Sequence, residues 1–401
     1  MTGRAAAARR DSHGRTVIAD GHDSDAFDVD FAVPCRHRLR FTADVFGRDR
    51  ETLWRLLEPG GDSAPKVLAY CDDGPASADP TLLTRLSAVL EEGGVELCDG
   101  VATVAGGESS KHDPSVVDRV LADIDRHGLD RRSYVLVCGG GAVLDAVGYA
   151  AAIAHRGLRL VRLPTTTLAQ ADSGVGVKNA VNLFGQKNWC GTFAVPWGVI
   201  NDAAVLRSLS DRDFVAGFSE AVKVALLKSP KLFRSLTSRA DLIADRDDEV
   251  SAGVIRESAL LHLRHITAGG DPFEALEARP LDFGHWSAHR LEGLSGHRLR
   301  HGEAVSIGLA IDVAYAAEKL GLAAETRDAV LATLRTLRLP TWDGLLDDPA
   351  PLWDGLEDFR RHLGGRLTLT MIRDVGDPVD VHEVDRAGLG RAIAYLRPDG
   401  D

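Results

Sequence analysis

Two histidines stand four residues apart in Gly284-His285-Trp286-Ser287-Ala288-His289, a third follows at His301, and Glu220 precedes Lys223 by three residues. Imidazole nitrogens and a carboxylate oxygen are natural donors to a divalent cation, and a set of three leaves positions open for substrate oxygens. Plainer readings exist for each feature. An H-x-x-x-H pair on a helix is commonly neither ligand nor proton carrier, and Glu220 with Lys223 on an apolar helix reads equally as a buried ion pair. Spacing along the chain does not show that the three groups converge.

A second cluster suits anions. Between Pro164 and Asn188 the chain gathers Thr165, Thr166, Asp172, Lys178, Asn182, Gly185, Lys187 and Asn188. Hydroxyl, amide and ammonium groups at this density suit a phosphorylated polyol. The two lysines read equally well as surface residues of a glycine-rich loop, whereas Asp172 stands among small and apolar neighbours. Upstream, Ser133-Tyr-Val-Leu-Val-Cys138 runs into Gly139-Gly140-Gly141 and a helical stretch from Val143. Strand, glycine turn and helix N-terminus together can receive a pyrophosphate. The spacing is not G-x-G-x-x-G, so a tight turn is the alternative. Asp145 suits the helix dipole, and Glu108 with Lys111 can be a solvated loop pair.

These side chains need a scaffold, and the pattern changes along the chain. From about Phe27 to Val205, β-rich runs (66–70, 95–98, 133–138) alternate with amphipathic segments (80–92, 115–127). Such alternation predicts a parallel α/β sheet. From Leu206 to Leu337 the β-branched runs vanish and apolar residues recur at three- and four-residue spacing, which predicts a helical half. Gly269-Gly-Asp-Pro-Phe273 reads as a functional loop or turn, and the cleft between the halves is the expected place for a site.

Composition narrows the function classes. At 401 residues and 44% apolar the chain can bury a large core, and its length suggests two domains. A net charge of -12 without a dominant basic cluster argues against nucleic acid as a partner. The longest apolar candidate, 146–154, is far short of the roughly 20 residues of a membrane span. Cys35, Cys71, Cys98, Cys138 and Cys190 are odd in number and form no C-x-x-C pair, as expected of reduced thiols in a cytoplasmic enzyme. Met1–Asp25, with early acidic residues and no signal-peptide core, reads as a disordered tail.

The ordered series Gly139-Gly-Gly-Ala-Val-Leu-Asp145, Asp172 to Lys178, Lys187-Asn188, Glu220-x-x-Lys223, Gly284-His285-x-x-x-His289 and His301-Gly-Glu303 resembles the sugar phosphate cyclases, the superfamily of 3-dehydroquinate synthase. The resemblance runs from about Phe27 to the C-terminal helices. It implies the fold class α/β plus all-α: a Rossmann-like parallel α/β NAD domain over 26–205, then an α-helical metal-binding domain over 206–401, in a homodimer. It implies NAD and one divalent metal, zinc or cobalt, as cofactors, with Glu220, His285 and His301 as metal ligands. NAD contacts map to Asp72, Glu108, Lys111, Gly140, Gly141, Asp145, Thr165, Thr166 and Lys187. Asp172, Lys223, Arg264 and His289 map to catalytic positions. Arg156, Lys178, Asn188 and Asp282 map to substrate positions, Arg156 being the arginine lent across the dimer to the neighbour's phosphate.

Two departures bear on the substrate. Arg264 stands where dehydroquinate synthases carry lysine. Ala278 and Asp282 stand where they carry arginine and asparagine, groups that serve the substrate's carboxylate and phosphate end; Arg279 is displaced by one residue. An acidic Asp282 repels a substrate carboxylate, which favours a seven-carbon sugar phosphate without one, such as sedoheptulose 7-phosphate. The expected function is an NAD- and metal-dependent, phosphate-eliminating cyclase. Its alternatives are 3-dehydroquinate synthase proper, an iron-type polyol or alcohol dehydrogenase, and a non-catalytic scaffold that binds sugar phosphate.

Overall fold

In the computed structural model the described residues are 31–59, 63–269, 273, 280–362 and 365–398, with 9–10 and 16–17. Of the tail expected over Met1–Asp25, only Arg9–Arg10 and Thr16–Val17 are among them, and these pair antiparallel. Ala278 and Arg279 lie outside the described residues. The chain divides into one unit ending at Arg36 and another from His37 to Asp401, which holds all the features that follow.

Between His37 and Val205 the described strands are β1 (Leu39–Thr42), β2 (Lys66–Asp72), β3 (Glu96–Val104), β4 (Tyr134–Gly139), β5 (Arg159–Pro164), β6 (Lys178–Leu183), β7 (Gln186–Phe193) and β8 (Gly198–Asp202). Six form one parallel sheet in the order β1-β8-β5-β4-β2-β3. The apolar runs are continuous because both faces are covered. Val67, Ala69 and Cys71 of β2, with Leu136 and Cys138 of β4, pack under α1 (Leu82–Glu92). Leu68, Tyr70, Val135 and Val137 point the other way, under α2 (Pro114–Arg126) and α3 (Gly141–Ile153).

Strands β6 and β7 leave the sheet as a separate antiparallel hairpin. Its two-residue turn, Phe184 and Gly185, has φ of 54° and 72°, the paired positive values that match the twist of a tight hairpin. The segment expected to hold a phosphate is therefore largely a β-ribbon.

Helices dominate after Asp202: α4 (Phe218–Lys228), α5 (Pro230–Ala244), α6 (Asp248–Ala268), α7 (His285–Leu294), α8 (His301–Lys319), α9 (Ala324–Thr336), α10 (Ala350–His362) and α11 (Arg386–Leu396). Their starts carry the expected chemistry: Ser229 accepts from Leu232 N–H ahead of Pro230, and Asp247 accepts from Val250 N–H. Helix α8 is the axis of this half, with every residue from Ala304 to Ala316 buried. One element departs from the all-helical expectation: β9 (Leu369–Asp374) and β10 (Asp377–Val381) form a hairpin turned at Gly376, with φ of 86°. It lies beyond Leu337, where the helical periodicity ended.

Among the described residues no helix is long and apolar enough to cross a membrane. All five cysteines are free.

Candidate active site

Helices α4, α7 and α8 bring Glu220, His285 and His301 to one point. His285 and His301 are each the first residue of a helix, and Glu220 lies in the first turn of its own. Close approach at Gly302 permits this, since a Cβ there would stand 1.9 Å from the Ala216 carbonyl oxygen. Glu220 Oε1 is 3.3 Å from Nε2 of His285 and 3.3 Å from Nε2 of His301. That oxygen is buried and has no hydrogen-bond donor.

The second nitrogens of both rings are committed elsewhere. His285 Nδ1 is 3.0 Å from the Phe283 carbonyl oxygen, so it must be the protonated nitrogen. His301 Nδ1 is 3.0 Å from Glu292 Oε2. Both Nε2 atoms are thereby directed at Glu220, the arrangement in which outer partners orient metal-binding imidazoles. Burial would lower the His301 pKa, but Glu292 and Glu220 outweigh it and push it up to about 10. The pocket is one that favours positive charge, and an orphaned carboxylate oxygen between two imidazole Nε2 atoms fits a divalent ion, which would take the place of the proton. A second grouping, His289, Glu292 and His301, also lies within ligand range, but both Glu292 oxygens are already engaged, Oε2 by His301 and Oε1 by Lys187.

Glu292 was not foreseen from the sequence. Its other oxygen, Oε1, is 2.8 Å from Lys187 Nζ on β7, so the ribbon reaches across to the helical half. Lys187, expected at the nucleotide, is thus bonded behind a histidine of the metal-type cluster. Glu303 of the His-Gly-Glu motif turns away to a two-pronged pair with Arg212, at 2.6 and 2.7 Å, and accepts from the Arg300 N–H.

Lys223, 1% exposed, links this cluster to Asp172: its Nζ is 2.5 Å from Glu220 Oε2 and 3.8 Å from Asp172 Oδ2. Although burial favours the neutral amine, Asp172 and Glu220 raise its pKa. Asp172 occupies one π-helical turn, Ala169–Ser173, a widening often found at functional sites. Its Oδ1 is 2.6 Å from Nδ1 of His262 on α6. Burial would raise the Asp172 pKa, yet Lys223 and His262 hold it below the usual carboxylate range. His262, also absent from the sequence reading, is the α6 side chain at the site. Arg264, two residues on, is exposed. A two-residue step on a helix turns a side chain about 200°, so the two cannot share a face.

Around Asp172 the loop is pinned by Arg162, a fully buried guanidinium. It donates to the carbonyls of Gly174, Gly176 and Lys178 at 3.1, 2.9 and 3.0 Å, and to Asn179 Oδ1 at 2.6 Å. Lys178 and Arg156 are exposed. Arg156 follows His155 in left-handed backbone, φ 65° after 51°, a strained pair that sits at the end of α3. Asp282 ends a short turn, 280–282, where its charge favours the cationic forms of Lys223 and His289. His289 is exposed, its ring 5.5 Å from His285 and 6.1 Å from His301. Although the side chain reaches solvent, the protein atoms packed around its ring and the charges of those two rings hold its own pKa down.

The glycine turn stands at the end of β4. Helix α3 starts after Gly140 without a side-chain cap, leaving its first N–H groups open. A Cβ on Gly141 would come 2.9 Å from Ser173 Oγ, a buried hydroxyl with no partner. An open N-terminus, a cradle that a side chain would fill and an unpartnered hydroxyl fit a pyrophosphate. Asp72 is buried under the turn, where it accepts from Gly74 N–H at 2.9 Å and Gly140 N–H at 3.2 Å. Lys111 bonds Asp145 at 2.7 Å and also Asn188. Glu108 accepts from Asn182 at 2.7 Å, and Thr166 caps the turn by accepting from Ala169 N–H at 3.1 Å. Thr165, 2% exposed, donates its N–H to the Gly139 carbonyl at 3.0 Å.

A parallel sheet with a glycine turn, joined to helices that converge on a Glu–His–His cluster, defines the class. Residues 101–216 match the 3-dehydroquinate synthase N-terminal family model and 217–352 the C-terminal one. The chain is 34% identical to a 3-dehydroquinate synthase of Leuconostoc citreum over 80% of its length and 86% of that protein. It is also 34% identical to a 2-epi-5-epi-valiolone synthase of Streptomyces glaucescens, covering 91% of this chain and 92% of the other. A solved 2-epi-5-epi-valiolone synthase from Streptomyces hygroscopicus subsp. jinggangensis 5008, with NAD+ and Zn2+ bound, superposes with a TM-score of 0.82 at 26% identity, over 92% of this chain and 99% of that one. The chain belongs to the 3-dehydroquinate synthase family of sugar phosphate cyclases, which are enzymes.

Proposed function

We propose that the protein cyclises a seven-carbon sugar phosphate without a carboxylate, most simply sedoheptulose 7-phosphate, eliminating phosphate with no net oxidation. One observation carries the choice of substrate. Asp282 brings a negative charge up to Lys223 and His289, the groups a substrate would meet beside the Glu–His–His cluster. A carboxylate there would face a like charge, which costs binding energy.

In this reading residues 26–205 carry NAD and 206–401 carry the metal and the sugar. Glu220, His285 and His301 would hold zinc or cobalt, and Gly140, Gly141, Asp145, Lys111, Thr165 and Thr166 would surround NAD, with Asp72 and Glu108 behind them. When bound, the pair would supply reversible hydride transfer and polarisation of the alcohol oxygen. The chain's own residues do the rest. Lys223 donates to the oxygen being oxidised, and Asp172 keeps that ammonium charged and in place. His262, paired to Asp172 through Nδ1, is the proton carrier, a role the geometry favours over Arg264. Lys178 and Asn188, with Arg156 lent across a homodimer, would hold the phosphate, whose own oxygens can take up the proton as it leaves. The five free thiols suit a reducing, cytoplasmic setting.

The test is incubation of purified protein, NAD and zinc or cobalt with sedoheptulose 7-phosphate and, separately, with the carboxylated precursor of dehydroquinate. Phosphate release and product mass are followed. A cyclised product from the first alone is the expected result. Product from the second alone makes the protein a dehydroquinate synthase, and steady accumulation of NADH makes it a dehydrogenase.

A further inference from the structure

His285 is flanked by two residues that answer to one carboxylate. Asp312 lies on α8, about three turns beyond His301, and is 1% exposed. Its Oδ2 accepts from the Gly284 N–H at 2.8 Å and its Oδ1 from the Trp286 indole N–H at 2.8 Å. Gly284 precedes α7 in left-handed backbone, φ 77°, where a Cβ would come 3.0 Å from the Leu309 backbone nitrogen. Trp286, 3% exposed, lies in the helical core.

Among the described residues Asp312 has no ion-pair partner. Burial outweighs its two N–H donors and pushes its pKa up to about 7. A buried carboxylate without an ion-pair partner is costly, and its two N–H donors offset only part of that cost. What the carboxylate adds is direction, because each of its oxygens accepts from a donor on a different side of His285. Helix α8 also supplies His301, so the same rigid element carries one imidazole and aims the other.

We propose that Asp312 is a positioning residue for the metal centre, fixing through Gly284 and Trp286 the direction from which His285 Nε2 meets Glu220 and His301. The proposal rests on the reading that Glu220, His285 and His301 hold the ion. Outer partners of this kind typically change metal affinity by about 10- to 100-fold.

The experiment titrates Co2+ into metal-free full-length protein, with affinity read by chelator competition, site geometry by the visible Co2+ spectrum, and metal-free stability by thermal unfolding. Wild type is compared with Asp312→Leu, Trp286→Phe and Glu220→Gln. Trp286→Phe removes one of the two donors without placing anything new in the core, so it serves if Asp312→Leu does not fold. The expected result is a loss of affinity of about 10-fold or more and a changed spectrum in Asp312→Leu, with a smaller loss in Trp286→Phe. Wild-type affinity and spectrum in both variants, with only the metal-free unfolding temperature altered, would overturn the proposal. If Glu220→Gln binds Co2+ as tightly as wild type, the metal-centre reading itself has failed and the proposal falls with it.

Discussion

Glu292 and His301 are joined at 3.0 Å, with Glu292 bonded on its other side to Lys187 at 2.8 Å. The bond keeps His301 Nε2 pointed at Glu220 and extends the cluster to the β6–β7 ribbon. Glu292→Gln preserves the shape but removes the charge that favours imidazole basicity. Zinc affinity is expected to fall by about 10- to 100-fold, read by chelator competition. An unchanged affinity would mean that the His301 ring is held by packing alone.

The Asp172–His262 contact at 2.6 Å and the exposure of Arg264 make opposite predictions for two neighbours on α6. His262→Ala should lower kcat for phosphate release by about 100-fold or more, in the usual range for loss of a general acid or base. Arg264→Ala should stay within about twofold of wild type, as a group outside the reaction does. The reverse pattern would return the role to Arg264.

Gly141→Ala places a methyl group 2.9 Å from Ser173 Oγ, inside the space read as the pyrophosphate cradle. NAD affinity, followed by quenching of protein fluorescence, should fall at least about tenfold, or about 1.4 kcal/mol. The circular dichroism spectrum should not change. Full NAD affinity in this variant would place the dinucleotide elsewhere.

Arg162 satisfies acceptors from Gly174 to Asn179, and Arg162→Met would orphan them in a buried loop. The expected cost is about 3 kcal/mol, measured by urea unfolding. The Michaelis constant for the sugar phosphate should rise as well, since this loop carries Asp172 and leads to Lys178. A stability change within about 0.5 kcal/mol, as for ordinary surface substitutions, would show that the loop finds other donors.

The buried Asp312 predicts a pH dependence of stability with a definite sign. Its folded pKa of about 7 is above the unfolded carboxylate value, so the folded state holds the proton more tightly. The group costs nothing when both states are protonated below about pH 4, then destabilises progressively to about pH 7 and levels off. The unfolding temperature of Asp312→Asn, compared with wild type at each pH, should therefore improve relative to wild type as pH rises across that window. A difference that is constant from pH 4 to 8 would show that Asp312 does not titrate there.

Local signals were read well where a residue's neighbours along the chain control its conformation. The strand at 133–138 followed by three glycines, the helical spacing of Glu220 and Lys223, and the helical H-x-x-x-H pair of His285 and His289 all emerge from backbone rules that act over a few residues. The motif order carried the family resemblance. Missed were groups whose importance comes from what lies opposite: His262 and Glu292 carry no motif of their own, and Asp312 sits unremarked in the middle of an apolar helix. The β9–β10 hairpin is an isolated pair of short strands beyond Leu337, too brief to stand out against the helical period that precedes it.

Residue pattern along the chain is enough to specify a parallel sheet with a glycine turn ahead of a helical half, and the residue types available for a metal, a dinucleotide and a phosphate. The convergence of Glu220, His285 and His301, the bond from Lys187 to Glu292, and the presentation of His262 by α6 while Arg264 faces solvent arise only when the chain is folded. Periodicity specifies which face of a helix is apolar, but the polar residue that meets the site depends on how helices far apart in sequence are rotated against one another. That rotation is set by long-range contacts such as Gly302 against Ala216 and Asp312 against Gly284 and Trp286.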